Sequence, residues 1–236
     1  MNAEGESIAS RLRSVRDRIA AAAARVGRDP ASITLVAACK TQPADAVRAA
    51  LAAGVEVFGE NRVQEAEEKI PRVGGGRWHM IGRLQRNKAR RAVELFELIH
   101  SVDSLRLAET LDRIGSEIGR PVPVLLEVNV GGEASKGGFE PAAFAAALDW
   151  CAGARWLSVR GLMTVPPPVR DSELARPYFR RLVELAAAAR ESRVPGPSFE
   201  QLSMGMSDDF EVAVEEGATM VRIGTALFGP RDDGGA

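Results

Sequence analysis

Eight short apolar runs recur along this chain, and segments with a helical period lie between them. The apolar runs cover residues 33–39, 55–60, 77–82, 98–102, 122–130, 158–165, 199–204 and 219–223. The helical patterns cover residues 43–53, 62–70, 85–96, 104–118, 140–153, 172–191 and 207–216. Strands that alternate with helices of this length are typical of βαβ units in a parallel sheet. Eight such units predict an α/β protein folded as a closed (β/α)8 TIM barrel, for which about 250 residues is usual. An open, doubly wound sheet is the alternative.

A helical segment precedes the first apolar run. Apolar residues recur at helical spacing between Ile8 and Val26, and arginines occupy the other face. With 236 residues and no linker-like segment, the chain is long enough for one large domain. We therefore expect a single domain over residues 1–236, in which residues 1–28 form a helix that packs on the barrel.

The charge and cysteine content narrow the class of protein. Acidic and basic residues number 32 and 31, which argues against nucleic acid or an anionic membrane as the main partner. Cys39 and Cys151 lie in apolar segments without a CxxC spacing. This pattern is typical of proteins in reducing compartments, where cysteines remain free thiols. No signal peptide or membrane-length apolar run is visible, so we expect a cytoplasmic protein. The two histidines, His79 and His100, have no ligand spacing, and no metal site is predicted.

Polar residues stand at the C-terminal ends of the predicted strands, where TIM barrels build their active sites. These residues are Lys40, Asn61, His79, Asp103, Asn129, Thr164, Ser203 and Arg222. Lys40 is the most informative, because it ends an apolar run and burying its ammonium is costly. In a structural role Lys40 would reach solvent or pair with Glu60. In a chemical role desolvation would lower its pKa, and the free amine would attack a carbonyl group. Cys39 points to the opposite face and is expected in the core.

Two glycine-bearing segments follow the last two predicted strands. Gly205 precedes a helical pattern and lets backbone N–H groups approach an anion, and Gly224-Thr225 follows the final strand. TIM barrels commonly bind phosphate between the loops after strands seven and eight. An amine opposite an anion site suggests a carbonyl-bearing phosphate held as a Schiff base, and pyridoxal 5′-phosphate (PLP) is the obvious candidate.

Arg222, on the last strand, has two interpretations. It could pair with a nearby acid such as Glu215, or it could point at the pyridine nitrogen of the cofactor. Arginine can only donate hydrogen bonds. In the second interpretation it would keep that nitrogen unprotonated and weaken the ring as an electron sink.

Other polar residues are less decisive. His79 either lines the pocket or is a satisfied core histidine. Asn61 ends the second strand, where its amide could fix the ring substituents of the cofactor. Lys136, in a glycine-flanked loop, could contact anions at the mouth, but a plain surface lysine is the preferred interpretation. Four cations are predicted to form a solvated helix face: Arg86, Lys88, Arg90 and Arg91.

Taken together, these segments resemble the pyridoxal phosphate homeostasis proteins, the YggS/PROSC family. The matching segments are Val36–Gln42, Phe58–Glu65, Trp78–Lys88, Arg160–Thr164, Leu202–Asp209 and Val221–Gly229. The resemblance implies a single-domain barrel of the alanine racemase N-terminal type. It also implies that Lys40 forms the Schiff base with PLP, that Arg222 faces the pyridine nitrogen and that Asn61 lies beside the ring. The phosphate would be held by Ser203, Gly205, Gly224 and Thr225.

The family resemblance implies intracellular PLP homeostasis without robust catalytic activity. Alanine racemases add a C-terminal β domain with a catalytic tyrosine, whereas this sequence ends at Ala236 and its one tyrosine, Tyr178, falls in a predicted helix. We therefore expect a monomer without catalytic residues that meets PLP-dependent apoenzymes transiently.

Two enzymatic alternatives are left open. One is a PLP-dependent amino-acid racemase, or a related enzyme, with weak activity. The other is a Schiff-base aldolase acting on a sugar phosphate. The reactive lysine of such aldolases usually lies on a later strand, and the sixth run, 158–165, has none.

Overall fold

The computed structural model describes residues 7–133, 137–192 and 196–230. Eight parallel strands close into a barrel in sequence order. They are β1 (Thr34–Ala38), β2 (Val57–Glu60), β3 (Arg77–Met80), β4 (Leu98–Val102), β5 (Val122–Glu127), β6 (Leu157–Met163), β7 (Gln201–Met206) and β8 (Met220–Ile223). The last strand pairs with the first, with Ala37 opposite Ile223. This closure confirms the predicted TIM barrel and excludes the open sheet. Lys136 lies outside the described residues.

Helices surround the barrel and precede or follow each strand in turn. They are α1 (Ile8–Arg25), α2 (Ala44–Ala52), α3 (Val63–Val73), α4 (Ala89–Leu95), α5 (Leu105–Ile118), α6 (Phe144–Gly153), α7 (Arg176–Glu191), α8 (Phe210–Glu215) and α9 (Thr225–Phe228). Short 3-10 helices cover Pro30–Ser32, Arg86–Lys88 and Ser172–Ala175. The sequence did not predict α9, because four residues are too few to show a helical period.

Strand ends differ from the predicted runs at two places that matter for the site. The first strand ends at Ala38, so Lys40 lies in the loop between β1 and α2. The fifth strand ends at Glu127, whereas the apolar run continues to residue 130. Beyond Glu127, the N–H group of Val128 still donates to the Met163 carbonyl oxygen at 2.8 Å, and Val128 forms an isolated parallel bridge with Phe139. An apolar run therefore extends past its strand where the loop is itself buried.

The predicted N-terminal helix packs on the outside of the barrel, as expected. Its apolar face, including Leu12 and Val15, is buried in the main core. Arg18 pairs with Glu211 of α8 at 3.0 Å. The guanidinium of Arg28, just after the helix, donates to the carbonyl oxygens at positions 214 and 218. Apolar burial and charge pairing therefore hold α1 against the segment around α8.

The core has two parts, which follow from the alternation of side chains along each strand. Outward-facing residues such as Phe58 pack against the helices. A smaller cluster of Val36, Val57, Leu98, Leu125, Met163 and Met220 fills the barrel interior. Two residues beyond Leu98 and Met220, on the same strand face, stand His100 and Arg222. Polar side chains therefore line the interior toward the C-terminal rim. Within the described ranges, no helix combines the length and the apolar character needed to cross a membrane.

Candidate functional site

Lys40 lies at the mouth of the barrel without an internal partner. Its side chain is half-buried, and its ammonium forms no hydrogen bond or ion pair with any residue that the structure describes. The next residue, Thr41, has a φ of +65°, which is strained for a β-branched side chain. The Thr41 hydroxyl donates to the Lys40 carbonyl oxygen at 2.5 Å. The backbone around Lys40 is thus held in one uncommon conformation, as at many functional sites.

A second lysine, which sequence reasoning missed, lies buried behind Lys40. The ammonium of Lys69 donates to the carbonyl oxygen of Cys39 at 2.8 Å and to the carboxylate of Glu60. Lys69 is 8% exposed and Glu60 is fully buried. The other Glu60 oxygen accepts a hydrogen bond from the Asn61 backbone N–H at 3.3 Å. One buried ion pair therefore joins the chain just before Lys40 to the chain at Asn61.

The contacts of Lys69 test two expectations about the residues that follow β1. Glu60 is the partner of Lys69, so the suggested pairing of Lys40 with Glu60 is wrong. Cys39 belongs to the main core, as predicted, and its thiol donates to the Gly59 carbonyl oxygen at 3.3 Å. Burial and the Glu60 carboxylate raise the pKa of this thiol well above its ordinary value. The thiol is therefore a packing group, and Lys40 is the reactive candidate.

Asn61 occupies a partly exposed position at the end of β2, and Gly82 lies directly against it. A Cβ atom at position 82 would lie 2.5 Å from the Asn61 carbonyl oxygen and 2.8 Å from its Cβ atom. The Gly82 carbonyl oxygen accepts a hydrogen bond from the Ser101 hydroxyl at 2.5 Å. Only glycine permits this close approach, which fixes the end of β2 against the loop after β3.

Arg222 is buried inside the barrel and is held by oxygen atoms. Its guanidinium donates to the Ser203 hydroxyl at 2.7 Å, to the Ser203 carbonyl oxygen at 2.8 Å and to the Thr164 carbonyl oxygen at 2.7 Å. It pairs with no carboxylate among the described residues, and Glu215 instead pairs with Arg25 and Arg176. Burial lowers the pKa of Arg222 to about 10, so the group stays charged at neutral pH. Three of its five N–H groups are used, and two remain for a ligand.

The two histidines extend this network across the barrel. His100 Nδ1 lies 2.9 Å from the Ser203 hydroxyl, and His100 Nε2 lies 3.0 Å from His79 Nδ1. Burial lowers the pKa of His79 to about 4, and burial together with His79 and Arg222 lowers the pKa of His100 well below 6.5. Both rings are therefore neutral at physiological pH. Within the described ranges, no third Cys, His, Asp or Glu joins them in a group that could hold a metal ion.

The direction of the hydrogen bonds along this chain follows from donor chemistry. Arg222 can only donate, so the Ser203 oxygen accepts, and the buried Ser203 hydroxyl hydrogen has His100 Nδ1 as its acceptor. A neutral His100 then donates through Nε2 to His79 Nδ1. The remaining His79 nitrogen, Nε2, is a donor that finds no partner among the described residues, although the residue is only 2% exposed. His79 is thus buried below the mouth with one ring nitrogen satisfied.

Backbone N–H groups converge where β7 and β8 end. The Ser207 hydroxyl oxygen accepts hydrogen bonds from the N–H groups of Gly224 and Ala226, each at 3.2 Å. Thr225, between these donors, is exposed and begins α9. Both N–H groups donate to the Ser207 oxygen in this structure, and the Ser207 hydroxyl hydrogen has no acceptor among the described residues, so it is available to an anion. The structure thus brings Ser207 to Gly224 and Thr225, whereas Ser203 lies with Arg222.

Gly205 makes the loop before Ser207 possible. Its φ is +89°, in the region that favours glycine. A Cβ atom at this position would lie 2.5 Å from the Cβ atom of Ala213 in α8. The carboxylate of Asp209 accepts a hydrogen bond from the Met206 N–H at 2.6 Å and closes the turn. Gly205 therefore shapes the loop that presents Ser207.

Glu127 is a further ionisable group of the barrel mouth, and sequence reasoning missed it. It ends β5, and burial together with the nearby Asp103 raises the pKa of its carboxyl group to about 7, against the opposing effect of Arg222. A carboxyl group that titrates near neutrality in a cleft is a candidate for proton transfer. The sequence signal was available, because Glu127 is the one charged residue within the apolar run 122–130.

Glu127→Gln should remove a pH dependence of stability. The folded protein keeps a proton on Glu127 between about pH 4.5 and pH 7, where the unfolded chain has lost it. The free energy of unfolding therefore falls as the pH rises through this window, by at most about 3 kcal/mol. Urea unfolding of both proteins at pH 5 and pH 8 measures the change.

The comparison between the two proteins isolates Glu127 from the buried histidines, which destabilise both proteins in acid. The stability of the natural protein relative to Glu127→Gln should decline toward pH 8. An exposed control, Glu191→Gln, should follow the natural protein at both pH values. A difference between the natural protein and Glu127→Gln that does not change with pH would contradict the assignment.

Comparison with known proteins shows the family to which this chain belongs. Residues 10–232 match the family described as "Alanine racemase, N-terminal domain". The pyridoxal phosphate homeostasis protein of Escherichia coli (strain K12) is 44% identical over 232 residues, which cover 95% of this chain and 97% of the relative. The relative of the same name from Aquifex aeolicus (strain VF5) is 45% identical over 224 residues, which cover 94% of this chain and 97% of the relative.

A solved structure gives the same result at the level of the fold. PipY of Synechococcus elongatus PCC7942, in the structure with PLP bound, has a TM-score of 0.83 and 41% sequence identity to this chain. The match covers 94% of this chain and 100% of PipY.

Proposed function

Because this chain belongs to the alanine racemase N-terminal domain family, and within it to the pyridoxal phosphate homeostasis proteins, we propose that it binds PLP reversibly and helps to control the concentration of this cofactor. The observation on which the proposal rests is the pairing of a free amine with an anion site. Lys40 follows β1, and the converging N–H groups follow β8, which is the neighbour of β1 in the closed barrel. The aldehyde and the phosphate of one small molecule can therefore be held on adjacent strands.

The residues of the mouth fit the chemical groups of PLP. The phosphate fits the Ser207 hydroxyl, whose hydrogen is available, and the N–H groups of Gly224 and Ala226, which donate to the Ser207 oxygen until an anionic acceptor replaces it. The pyridine nitrogen fits the two N–H groups that Arg222 has free. When bound, PLP supplies an aldehyde carbon, to which we assign Lys40 Nζ as the partner in a covalent C=N bond.

We assign the remaining predicted residues by their contacts. Ser203 holds Arg222 through two oxygens and so orients the guanidinium, and Ser207 takes its place in the phosphate site. Gly205 shapes the loop, and Thr225 stands beside the phosphate at the start of α9. Asn61, fixed by Gly82, lies beside the ring. His79 acts below the ring as the end of the hydrogen-bonded chain from Arg222.

The charge state of Arg222 favours reversible binding of PLP with little catalysis. With a pKa of about 10 the guanidinium stays protonated and can only donate, so it favours an unprotonated pyridine nitrogen. An unprotonated ring withdraws electrons less strongly, which disfavours carbanion chemistry. Monomeric action and transient contact with apoenzymes stay predictions from the sequence.

Reductive trapping tests the proposal. The protein is incubated with PLP, its absorbance spectrum is recorded before and after borohydride, and the reduced peptide is identified by mass spectrometry. Hydride adds to the carbon of the C=N bond and leaves a stable secondary amine on the lysine. We expect loss of the visible band and a pyridoxyl label on Lys40. A label on another lysine, or no label, would reject the assignment.

Weak amino-acid racemisation is a second candidate, favoured by Glu127. A carboxyl group with a pKa of about 7 in the mouth can both donate and accept a proton at neutral pH. Incubation of the PLP-loaded protein with L-alanine, followed by chiral analysis, measures this activity. Turnover on the order of 1–1000 per second, as in ordinary enzymes, would replace the first proposal.

A further inference from the structure

A second cleft opens beside the mouth, on the side of the barrel away from the phosphate site. Its volume is about 980 Å³, and it lies over the ends of β2, β3 and β4. Asn61 and Gly82, which border the proposed cofactor site, also line this cleft. The cleft is lined by segments that follow β2, β3 and β4, whereas the donors assigned to the PLP phosphate follow β7 and β8, so that phosphate does not occupy the cleft.

The cleft concentrates positive charge on a chain that is nearly neutral. Five basic side chains line it: Arg62, Arg83, Arg86, Lys88 and Arg106. Only two acidic side chains, Glu65 and Asp103, accompany them, so the lining has a formal charge of +3 while the whole chain has −1. A concave surface lined by one sign of charge focuses the field and attracts the opposite charge.

The two acidic residues are already matched within the lining. Glu65 lies 3.5 Å from Arg62, and Asp103 lies 3.3 Å from Arg83. The three other cations, Arg86, Lys88 and Arg106, have no carboxylate partner among the described residues. The cleft therefore has three positive charges for which the described chain supplies no counter-charge.

Two other basic residues of the same segment form ion pairs, unlike Arg86 and Lys88. Arg90 pairs with Glu117, and Arg91 pairs with both Glu67 and Glu94. Arg86, Arg90 and Arg91 are exposed, as the predicted solvated face requires, and Lys88 is partly buried. Two of its members belong to ion pairs between helices, and the other two face the cleft.

We propose that this cleft binds a phosphomonoester without a covalent bond. Guanidinium groups match phosphate oxygens with paired N–H donors, and a phosphate with almost two negative charges suits an uncompensated charge of +3. The volume lies at the upper end of the usual range for small-molecule sites. The ligand we assign is a phosphorylated form of vitamin B6 held next to Asn61. This assignment of the ligand rests on the proposed function.

The experiment first fills the barrel site and then titrates the cleft. PLP-loaded protein is reduced with borohydride, its mass is measured, and free ligand is removed. Pyridoxine 5′-phosphate is then added in a calorimeter, because it has the phosphate but no aldehyde and cannot form a C=N bond with a lysine. We expect one further equivalent to bind and excess inorganic phosphate to displace it.

Paired variants test where this second equivalent binds. Arg86→Ala with Arg106→Ala should weaken binding by at least about tenfold, since each removes a charge-assisted hydrogen bond. These side chains are exposed and make no hydrogen bond in the described structure, so the fold should be unchanged. The control, Arg13→Ala with Arg160→Ala, removes the same charge from exposed positions outside the cleft and should bind as the natural protein does.

The outcomes separate the two proposals. A mass without a pyridoxyl label on Lys40 rejects the proposed function. A labelled protein that takes up no second equivalent rejects the cleft, as does equal weakening in the control variant. Inorganic phosphate that binds as tightly as the vitamer supports a phosphate site but rejects the assignment to vitamin B6.

Discussion

Lys40→Ala should abolish covalent capture of PLP and leave the barrel folded. The visible absorbance of the PLP-loaded protein should disappear, and borohydride should leave no pyridoxyl label on the chain. The Lys40 ammonium has no internal hydrogen bond or ion pair within the described ranges, so its loss should change the free energy of unfolding by less than about 0.5 kcal/mol. Absorbance spectra, intact mass after reduction and urea unfolding measure the three quantities.

Because the chain contains few lysines, few other side chains could carry the pyridoxyl label. The sequence contains only four: Lys40, Lys69, Lys88 and Lys136. Lys69 is buried and bonded to Glu60, and Lys88 lines the second cleft. Lys88→Ala is the matched control, and it should keep both the visible band and the label on Lys40. A label that persists in Lys40→Ala would assign capture to another amine, of which Lys136 is the foremost candidate.

Lys69→Met should be the most destabilising single change at the site. It removes the partner of a fully buried carboxylate, and breaking a buried ion pair from one side costs about 3–5 kcal/mol. It also releases the Cys39 carbonyl oxygen that holds the chain just before Lys40. We therefore expect slower capture of PLP at Lys40 as well as a lower free energy of unfolding, measured by stopped-flow absorbance and urea titration.

Two further variants separate the ion pair from a general loss of packing. Glu60→Gln combined with Lys69→Met removes both charges of this pair and should recover much of the lost stability, because the cost arises from the unpaired carboxylate. Arg72→Met, at an exposed position of the same helix, should change stability by less than about 0.5 kcal/mol. If Lys69→Met and Arg72→Met have the same free energy of unfolding, the proposed role of the ion pair is refuted.

The positions of the site residues along the chain could be predicted, whereas most of their contacts could not. The sequence located Lys40 after the first strand and Gly224 after the last, because a residue at the end of a barrel strand lies at the rim whatever its partners are. It placed Ser203 with the phosphate, yet the hydroxyl of this residue bonds to Arg222 and His100. Side-chain alternation along β7 turns Ser203 into the barrel, and the loop shaped by Gly205 places Ser207 beside Gly224 and Ala226.

Lys69 shows why a residue of the site can escape sequence reasoning. A lysine among the buried positions of an amphipathic helix, here between Ala66 and Val73, is a visible anomaly. The sequence pattern does not show which acidic residue will pair with this lysine. The answer needs the packing of α3 on β1 and β2, which places its ammonium beside Glu60 and the Cys39 carbonyl oxygen.

The order of apolar and polar residues by itself determined the alternation of eight strands with helices and the added N-terminal helix, because side-chain periodicity is a local property of each strand and helix. The pairing of β8 with β1 then closed the sheet into a barrel. Only the tertiary structure decided which group each buried charge contacts. The carboxylate of Glu60 meets Lys69, and Arg222 is held by Ser203 and Thr164 from strands distant in the sequence. Long polar side chains bond to whichever group the closed barrel brings within about 3 Å, and that proximity exists only after the strands have paired.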